Sequence, residues 1–194
     1  MIDPVVKRAM GQMIRGVQVV ATKARGTTRA YTSHWVSQVA FEEPLVMASV
    51  SPKHDTYPLM SEAGWWTISV LAADQIDVGQ YFSYPGRRFQ HLMGEMLTEV
   101  DGFPVVRDCI SWLRVETIDR RPMGDHELFF GRVVASGTGR LREPPLLYSS
   151  RHGWRVTGDK ARPPGVSVRD QLLARLEAAG LDPGAGGDDD DDAD

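Results

Sequence analysis

Strand-length runs follow one another in this chain with short turns between them, and that succession points to a sheet curling on itself. The runs are Val17–Thr22 (VQVVAT), about Ala30–Val39, Leu45–Val50 (LVMASV), Trp65–Leu71 (WWTISVL), Trp112–Ile118 (WLRVETI), Glu127–Ala135 (ELFFGRVVA) and a short start at Leu146–Tyr148. They are rich in β-branched and aromatic residues, and turn signals at Arg25–Thr28, Glu42-Glu43-Pro44 and Pro122–Asp125 separate them. Leu45–Val50 is apolar on both faces, which predicts a buried, central strand. Helical spacing is confined to a few places. Pro4–Met13 has Asp3 as N-cap and Pro4 at its first position; Asp55–Ala63 and Ala73–Phe82 follow. A last helix carries Val168, Leu172, Leu173 and Leu176, begins at Ser167-x-x-Asp170 and stops at Gly180. Strands and helices do not alternate, so the expected fold is mainly β, a β-barrel with peripheral helices, and not a doubly wound α/β domain.

A chain of 194 residues suits one domain with a proper core, expected over 1–180 and followed by an acidic tail over 181–194. The last seven residues hold six aspartates, and without them the formal charge moves from −4 to +2. The body is therefore nearly neutral and carries no nucleic-acid footprint. The nearest basic group, Arg151, His152, Arg155, Lys160 and Arg162, is broken by Gly153, Gly158 and two prolines and reads as an exposed loop. The first sixteen residues hold no apolar run of signal-peptide or membrane length, and the one cysteine, Cys109, permits no intrachain disulfide. A soluble, cytoplasmic protein is expected, with no membrane and no nucleic-acid partner. Neither Gly-x-Gly-x-x-Gly nor a Walker loop is present. His34, His54 and His126 lack the spacing of metal ligands, so no metal is expected.

The chemistry concentrates between Arg29 and Thr56. Thr32, Ser33, His34, Trp35 and Ser37 set hydrogen-bonding groups beside a flat ring, and Ser51, Lys53, His54 and Thr56 appear where the next strand ends. Donors along one edge, with a cation and hydroxyls nearby, suit a flat polar heterocycle with a phosphate tail. Cys109 lies among apolar neighbours and reads as a core residue. Trp65 and Trp66 must face opposite ways in a strand, one into the core and the other toward a ligand or interface.

Three segments together resemble the flavin reductase-like family, the FMN-binding split β-barrels. Gly16–Thr22 leads into Tyr31–Val46 (YTSHWVSQVAFEEPLV), similar to that family's strand, flavin loop and Pro-Leu-Val strand. Ser51–Gln75 is similar to its phosphate-side loop, short helix and following strand. Gly102-FPVV through Ile110–Ala135 contains Gly124-Asp125-His126, then Leu128-Phe129 and Gly131, as in the family's Gly-Asp-His turn. The match runs from about residue 5 to 150. Two departures stand out: His34 and Trp35 replace a small Asn-Ser or Ser-Ser pair, and Glu43 replaces one of two prolines.

The resemblance implies a homodimer binding FMN, with FAD as the alternative, at or near the subunit interface. It also implies NAD(P)H as co-substrate, with hydride passing from nicotinamide to flavin N5. Carried over, Thr32, Ser33, His34, Trp35, Val36 and Ser37 line the isoalloxazine and ribityl chain. Ser51, Lys53, His54 and Thr56 lie toward the phosphate. Phe82 and the Arg87-Arg88-Phe89 loop, Arg88 foremost, border the flavin. His126 sits near the nicotinamide, as the candidate catalytic residue. The implied activity is an NAD(P)H:flavin oxidoreductase that passes reduced flavin to a partner monooxygenase or a small acceptor. A flavoredoxin-like electron carrier without direct NAD(P)H oxidation is the alternative.

Overall fold

A computed structural model of the chain describes residues 2–83 and 93–156. Among these, the chain runs through α1 (Pro4–Met10), β1 (Arg15–Gly16), β2 (Gln18–Ala24), β3 (Thr27–Ser33), β4 (Val36–Gln38), β5 (Leu45–Val50) and α2 (Thr56–Ala63). Then come β6 (Trp65–Val70), α3 (Ile76–Tyr81), α4 (Met93–Met96), β7 (Leu97–Val100), β8 (Phe103–Val106), β9 (Ser111–Met123), β10 (His126–Thr138), β11 (Leu147–Ser149) and β12 (Gly153–Arg155). The Arg87–Phe89 loop, the helix expected near 167–180 and the acidic tail lie outside the described residues.

Seven strands make one antiparallel sheet in the order β3-β2-β6-β9-β10-β5-β4. The two edge strands, β3 and β4, are consecutive in the chain, and His34 and Trp35 are all that separates them. Three Cα steps of about 3.8 Å hold Ser33 and Val36 within roughly 11 Å of each other. The sheet must therefore curl until its edges nearly meet. The result is a mainly β split barrel whose seam is crossed by two residues.

The barrel interior is the first core: Val20, Tyr31, Val46, Ala48, Val50, Trp66, Ile68, Val115 and Phe129, with Met60 of α2. A second core lies on the other side of β2 and joins Val17, Val19, Leu71, Tyr81, Phe82, Leu97, Val106, Cys109 and Leu146. The strands buried on both faces are thus β2 and β6, and not β5 as its composition predicts. In β5 the face of Val46, Ala48 and Val50 is buried, whereas Leu45, Met47 and Ser49 are half-buried, and the strand is second from the sheet edge. The outer face of β6 carries Thr67 and Ser69 instead, and β2 ends its buried run at Thr22; each of the three hydroxyls is hydrogen-bonded. Thr22 Oγ1 donates to Trp65 O at 2.9 Å, Thr67 Oγ1 to Pro104 O at 2.6 Å, and Ser69 Oγ accepts from Val106 N–H at 3.0 Å. The Thr67 and Ser69 bonds hook the β7–β8 hairpin onto the barrel and the Thr22 bond ties β2 to β6, which is why polar residues are tolerated in buried strands.

Other differences have local causes. The strand expected over 30–39 starts earlier, at Thr27, and breaks at His34–Trp35, where pairing passes from β2 to β5. The β7–β8 hairpin and β12 have no counterpart in the expected elements; β12 falls in the stretch read as an exposed loop and pairs with β11. Trp66 enters the barrel, while Trp65 packs edge-on against Phe103 at 4.6 Å and so faces the hairpin. In α1, Asp3 Oδ1 accepts from Val5 N–H at 2.7 Å, the expected cap, yet no residue of the helix is buried.

Candidate functional site

The seam residues are fixed by backbone bonds. Trp35 N–H donates to Ser33 Oγ at 3.1 Å, and Trp35 O accepts from Ser49 N–H at 3.0 Å. Thr32 N–H donates to Phe82 O at 3.0 Å and Thr32 Oγ1 to Gly79 O at 2.7 Å. Beyond the seam a cavity of about 440 Å³ opens, lined by Arg15, Gly16, His34, Trp35, Val36, Ser37, Met47 and Ser49. His34, Trp35, Val36 and Ser37, four of the residues expected to line a ring, are among its walls. Thr32 and Ser33 do not line it, because their hydroxyls hold the link. Phe82 does not either: its ring is 4% exposed and packs on Tyr81 in the second core. Arg88 lies outside the described residues.

Four rings meet across the seam. His34 lies 5.2 Å from Trp35 and 4.8 Å from Tyr148, and Trp35 is edge-on to His126 at 4.9 Å. Burial lowers the proton affinity of His34, and the charge of Arg15 lowers it further. His126 opens β10 after a two-residue turn in which Gly124 takes φ 65°, the left-handed region that glycine adopts without strain. His126 Nδ1 is 2.8 Å from Asp125 Oδ1. That hydrogen bond, then the charges of His126 and, more weakly, Lys53, hold the Asp125 carboxyl below the usual carboxylate range. The turn at 124–126 and the loop after β5 thus share one end of the β5–β10 pair, where Glu127 lies opposite Val50.

That loop is a tight turn. Ser51 O accepts from His54 N–H at 2.9 Å, and His54 Nδ1 accepts from Thr56 N–H at 3.3 Å. The His54 ring lies 5.0 Å from Tyr31, and burial lowers its proton affinity against the opposing pull of Asp55. A neutral ring suits the acceptor role toward Thr56. Lys53 is exposed and forms no ion pair among the described residues. Thr56 is fully buried, and its Oγ1 has no hydrogen-bond partner among them. Ser51, an unpaired cation and an orphaned hydroxyl follow in the loop just after Ser49, which lines the cavity with Trp35, Val36 and Met47; together these groups fit a flat ring with an anionic tail.

Sequence reasoning missed Arg15, Gly16, Met47, Ser49 and Tyr148. The half-apolar face of β5 was the available signal for Met47 and Ser49. It also missed a clamp behind the site. Tyr57 Oη donates to Glu127 Oε2; Arg120 Nε and Nη2 donate to Glu127 at 3.0 and 2.8 Å, and Nη2 also to Tyr57 Oη at 3.1 Å. The Arg120 guanidinium stands 4.6 Å over the Phe129 ring. Tyr57 follows Thr56 and Glu127 follows His126, so the clamp ties the loop after β5 to the Gly-Asp-His turn. Among the described residues no three His, Cys, Asp or Glu side chains converge as a metal site.

Residues 10–155 match the family described as Flavin reductase like domain. The chain belongs to the flavin reductase-like family. This flavin reductase-like chain is 30% identical over 145 residues to the NADH-dependent FMN reductase AsuE2 of Streptomyces nodosus subsp. asukaensis, covering 73% of the chain and 78% of that protein. It is 30% identical over 145 residues to the 4-hydroxyphenylacetate 3-monooxygenase reductase component of Thermus thermophilus, covering 75% and 91%. Its fold is that of nitrilotriacetate monooxygenase component B from Mycobacterium thermoresistibile, with a TM-score of 0.72, 21% identity, and 87% and 93% of the two chains covered. The split barrel is the architecture this flavin reductase-like sequence dictates.

Proposed function

We propose that the protein is an NAD(P)H-dependent flavin reductase that reduces FMN and passes reduced flavin to a partner monooxygenase or a small acceptor. The observation that carries this is the 4.9 Å contact between Trp35 and His126. It sets the Gly-Asp-His turn against the seam tryptophan that walls the cavity, the proximity that a reaction between two stacked rings requires. The bound flavin supplies the hydride acceptor; the chain's own contribution is to bind, orient and exclude water. Trp35, Val36 and Met47 would flank the ring, Ser37 and Ser49 its polar edge, and Ser51, Lys53 and Thr56 the phosphate. Asp125, 2.8 Å from Nδ1, orients the His126 ring, so that Nε2 would be the ring atom offered to a nicotinamide.

NADH is the donor to test first, because the Streptomyces nodosus relative is named for it. The Thermus relative's name supports an oxygenase as the consumer of reduced flavin. Both names favour a reductase over a protein-fed electron carrier. We further propose a homodimer, supported by the half-buried Met47, Leu128 and Phe130 on the outer sheet face and by exposed Val5, Val6 and Met10 of α1. Residues 1–180 are proposed as one domain with a solvated tail at 181–194, in a cytoplasm whose reducing poise suits the buried free thiol of Cys109.

The test is an absorbance spectrum of the purified protein with FMN, before and after anaerobic NADH. Bleaching of the flavin band at catalytic protein concentration is expected. A flavin that binds but stays oxidised would replace the reductase with the electron carrier, and no flavin binding would remove both.

A further inference from the structure

A second hollow, of about 230 Å³, lies at the C-terminal end of α1 and is lined by Lys7, Arg8, Gly11, Ser150 and Arg151. Its walls are joined by a backbone bond, Arg151 N–H to Gly11 O at 3.2 Å, and by a side-chain contact, His152 Nε2 3.3 Å from Gln12 Oε1. Lys7, Arg8 and Arg151 have no carboxylate within ion-pair distance among the described residues. Other cations are paired, as in Lys23–Glu99 at 2.8 Å and Arg140–Asp74 at 2.7 Å.

The helix end explains part of this, since basic residues in a last turn oppose the negative end of the helix dipole. That end carries about half a unit of charge, so three full cations leave roughly +2.5 over the hollow. The strip then continues toward the seam. Arg15, four residues beyond Gly11, pairs in register with Tyr148, lines the seam cavity and lowers the proton affinity of His34.

We propose that this strip binds the pyrophosphate of a dinucleotide, in the ADP half of NADH or of FAD, while the ring end occupies the seam cavity. The inference rests on the reductase reading. A pyrophosphate brings two negative charges and several acceptor oxygens. The guanidinium forks of Arg8, Arg15 and Arg151, the Lys7 ammonium and the Ser150 hydroxyl match them. An acidic protein surface is the other class that the charge admits. A concave hollow of this size, joined to the ring cavity's Arg15 by four residues of chain and by the β1–β11 pair, favours the nucleotide.

The test is the triple variant Lys7→Gln/Arg8→Gln/Arg151→Gln, with its melting temperature compared to wild type. ADP binding to the FMN-loaded protein is measured by titration calorimetry at low salt, and the variant should bind about tenfold more weakly. KM for NADH should rise about tenfold with kcat held, while kcat/KM for 1-benzyl-1,4-dihydronicotinamide, which has no phosphate, stays within about twofold. Affinities for FAD and FMN form the second arm. A loss confined to NADH assigns the strip to the donor, and a loss for FAD but not FMN assigns it to the flavin. Unchanged ADP, NADH and FAD parameters would overturn the proposal. So would equal losses for the phosphate-free donor and FMN, or a defect seen only in transfer to an oxygenase. If wild type fails to oxidise NADH at all, the reductase reading falls, while ADP and FAD binding still judge the strip.

Discussion

Trp35 is held by its backbone and left free at its side chain. Its N–H and C=O are both bonded, yet the residue is 42% exposed beside His34 and His126. An indole in that place covers one wall of the cavity where a small side chain would leave it open. Trp35→Ser should therefore raise NADH turnover while flavin affinity stays within about tenfold, read by steady-state kinetics and flavin fluorescence. Lost flavin binding at unchanged turnover would instead make the indole part of the flavin's bed. At the other end of the site, Lys53→Ala should weaken FMN about tenfold and riboflavin little. Equal losses would remove Lys53 from the phosphate. His34, Trp35, Lys53 and His126 stand out as candidates in the sequence because aromatic rings, cations and a Gly-Asp-His turn keep their chemistry in any register. The partners of Thr32 and Ser33 were not legible, because a hydroxyl's partner is set by tertiary structure: theirs are Gly79 O and the Trp35 N–H.

Between elements, the clamp of Tyr57, Arg120 and Glu127 fixes α2 against the β9–β10 hairpin. Hydrogen bonds from Arg120 and then Tyr57 hold the Glu127 carboxyl below its ordinary value of 4.5. A carboxyl so depressed stabilises the fold above its unfolded pKa and ceases to do so as pH falls through the lower folded one. Tyr57→Phe should cost about 1 kcal/mol and Arg120→Met about 2 to 3 kcal/mol by urea unfolding at pH 7. The gap for Arg120→Met should narrow as the pH is taken below 4.5. A gap independent of pH would mean the packing of Arg120 on Phe129 matters more than its charge. Gly131 makes a second point of rigidity at the register shift in β9–β10: a Cβ there would lie 2.2 Å from Val115 Cγ1 and 2.8 Å from Glu116 O. Gly131→Ala should lower stability by about 1 to 3 kcal/mol, measured the same way. Element types were mostly legible from period and turn residues. The rank of strands in the sheet was not, since Thr22, Thr67 and Ser69 make the buried β2 and β6 look half-polar. The apolar second face of β5, meanwhile, borders the cavity and the outer sheet.

At the scale of the molecule, two apolar surfaces stay uncovered among the described residues of a single copy. One is α1, where Ile2, Val5, Val6 and Met10 are 49% exposed or more; the other is the outer sheet region with Ile118, Met123 and Val134. Light scattering should give twice the chain mass at micromolar concentration, and Val5→Glu/Met10→Glu should shift it toward one chain. A monomeric wild type would return both surfaces to other partners. The seam has a consequence in time as well. The pairs that build the barrel join segments far apart in sequence, β5 with β10 and β2 with β6, and non-local pairing is slow. His34 and Trp35 can take their places after those ladders have formed, so the ring cavity is completed at the end of folding and its backbone is the first to loosen. Amide exchange at 34–38 should run ahead of that in β6 and β9, and ring ligands should slow it, because whatever settles in the cavity also holds the barrel shut.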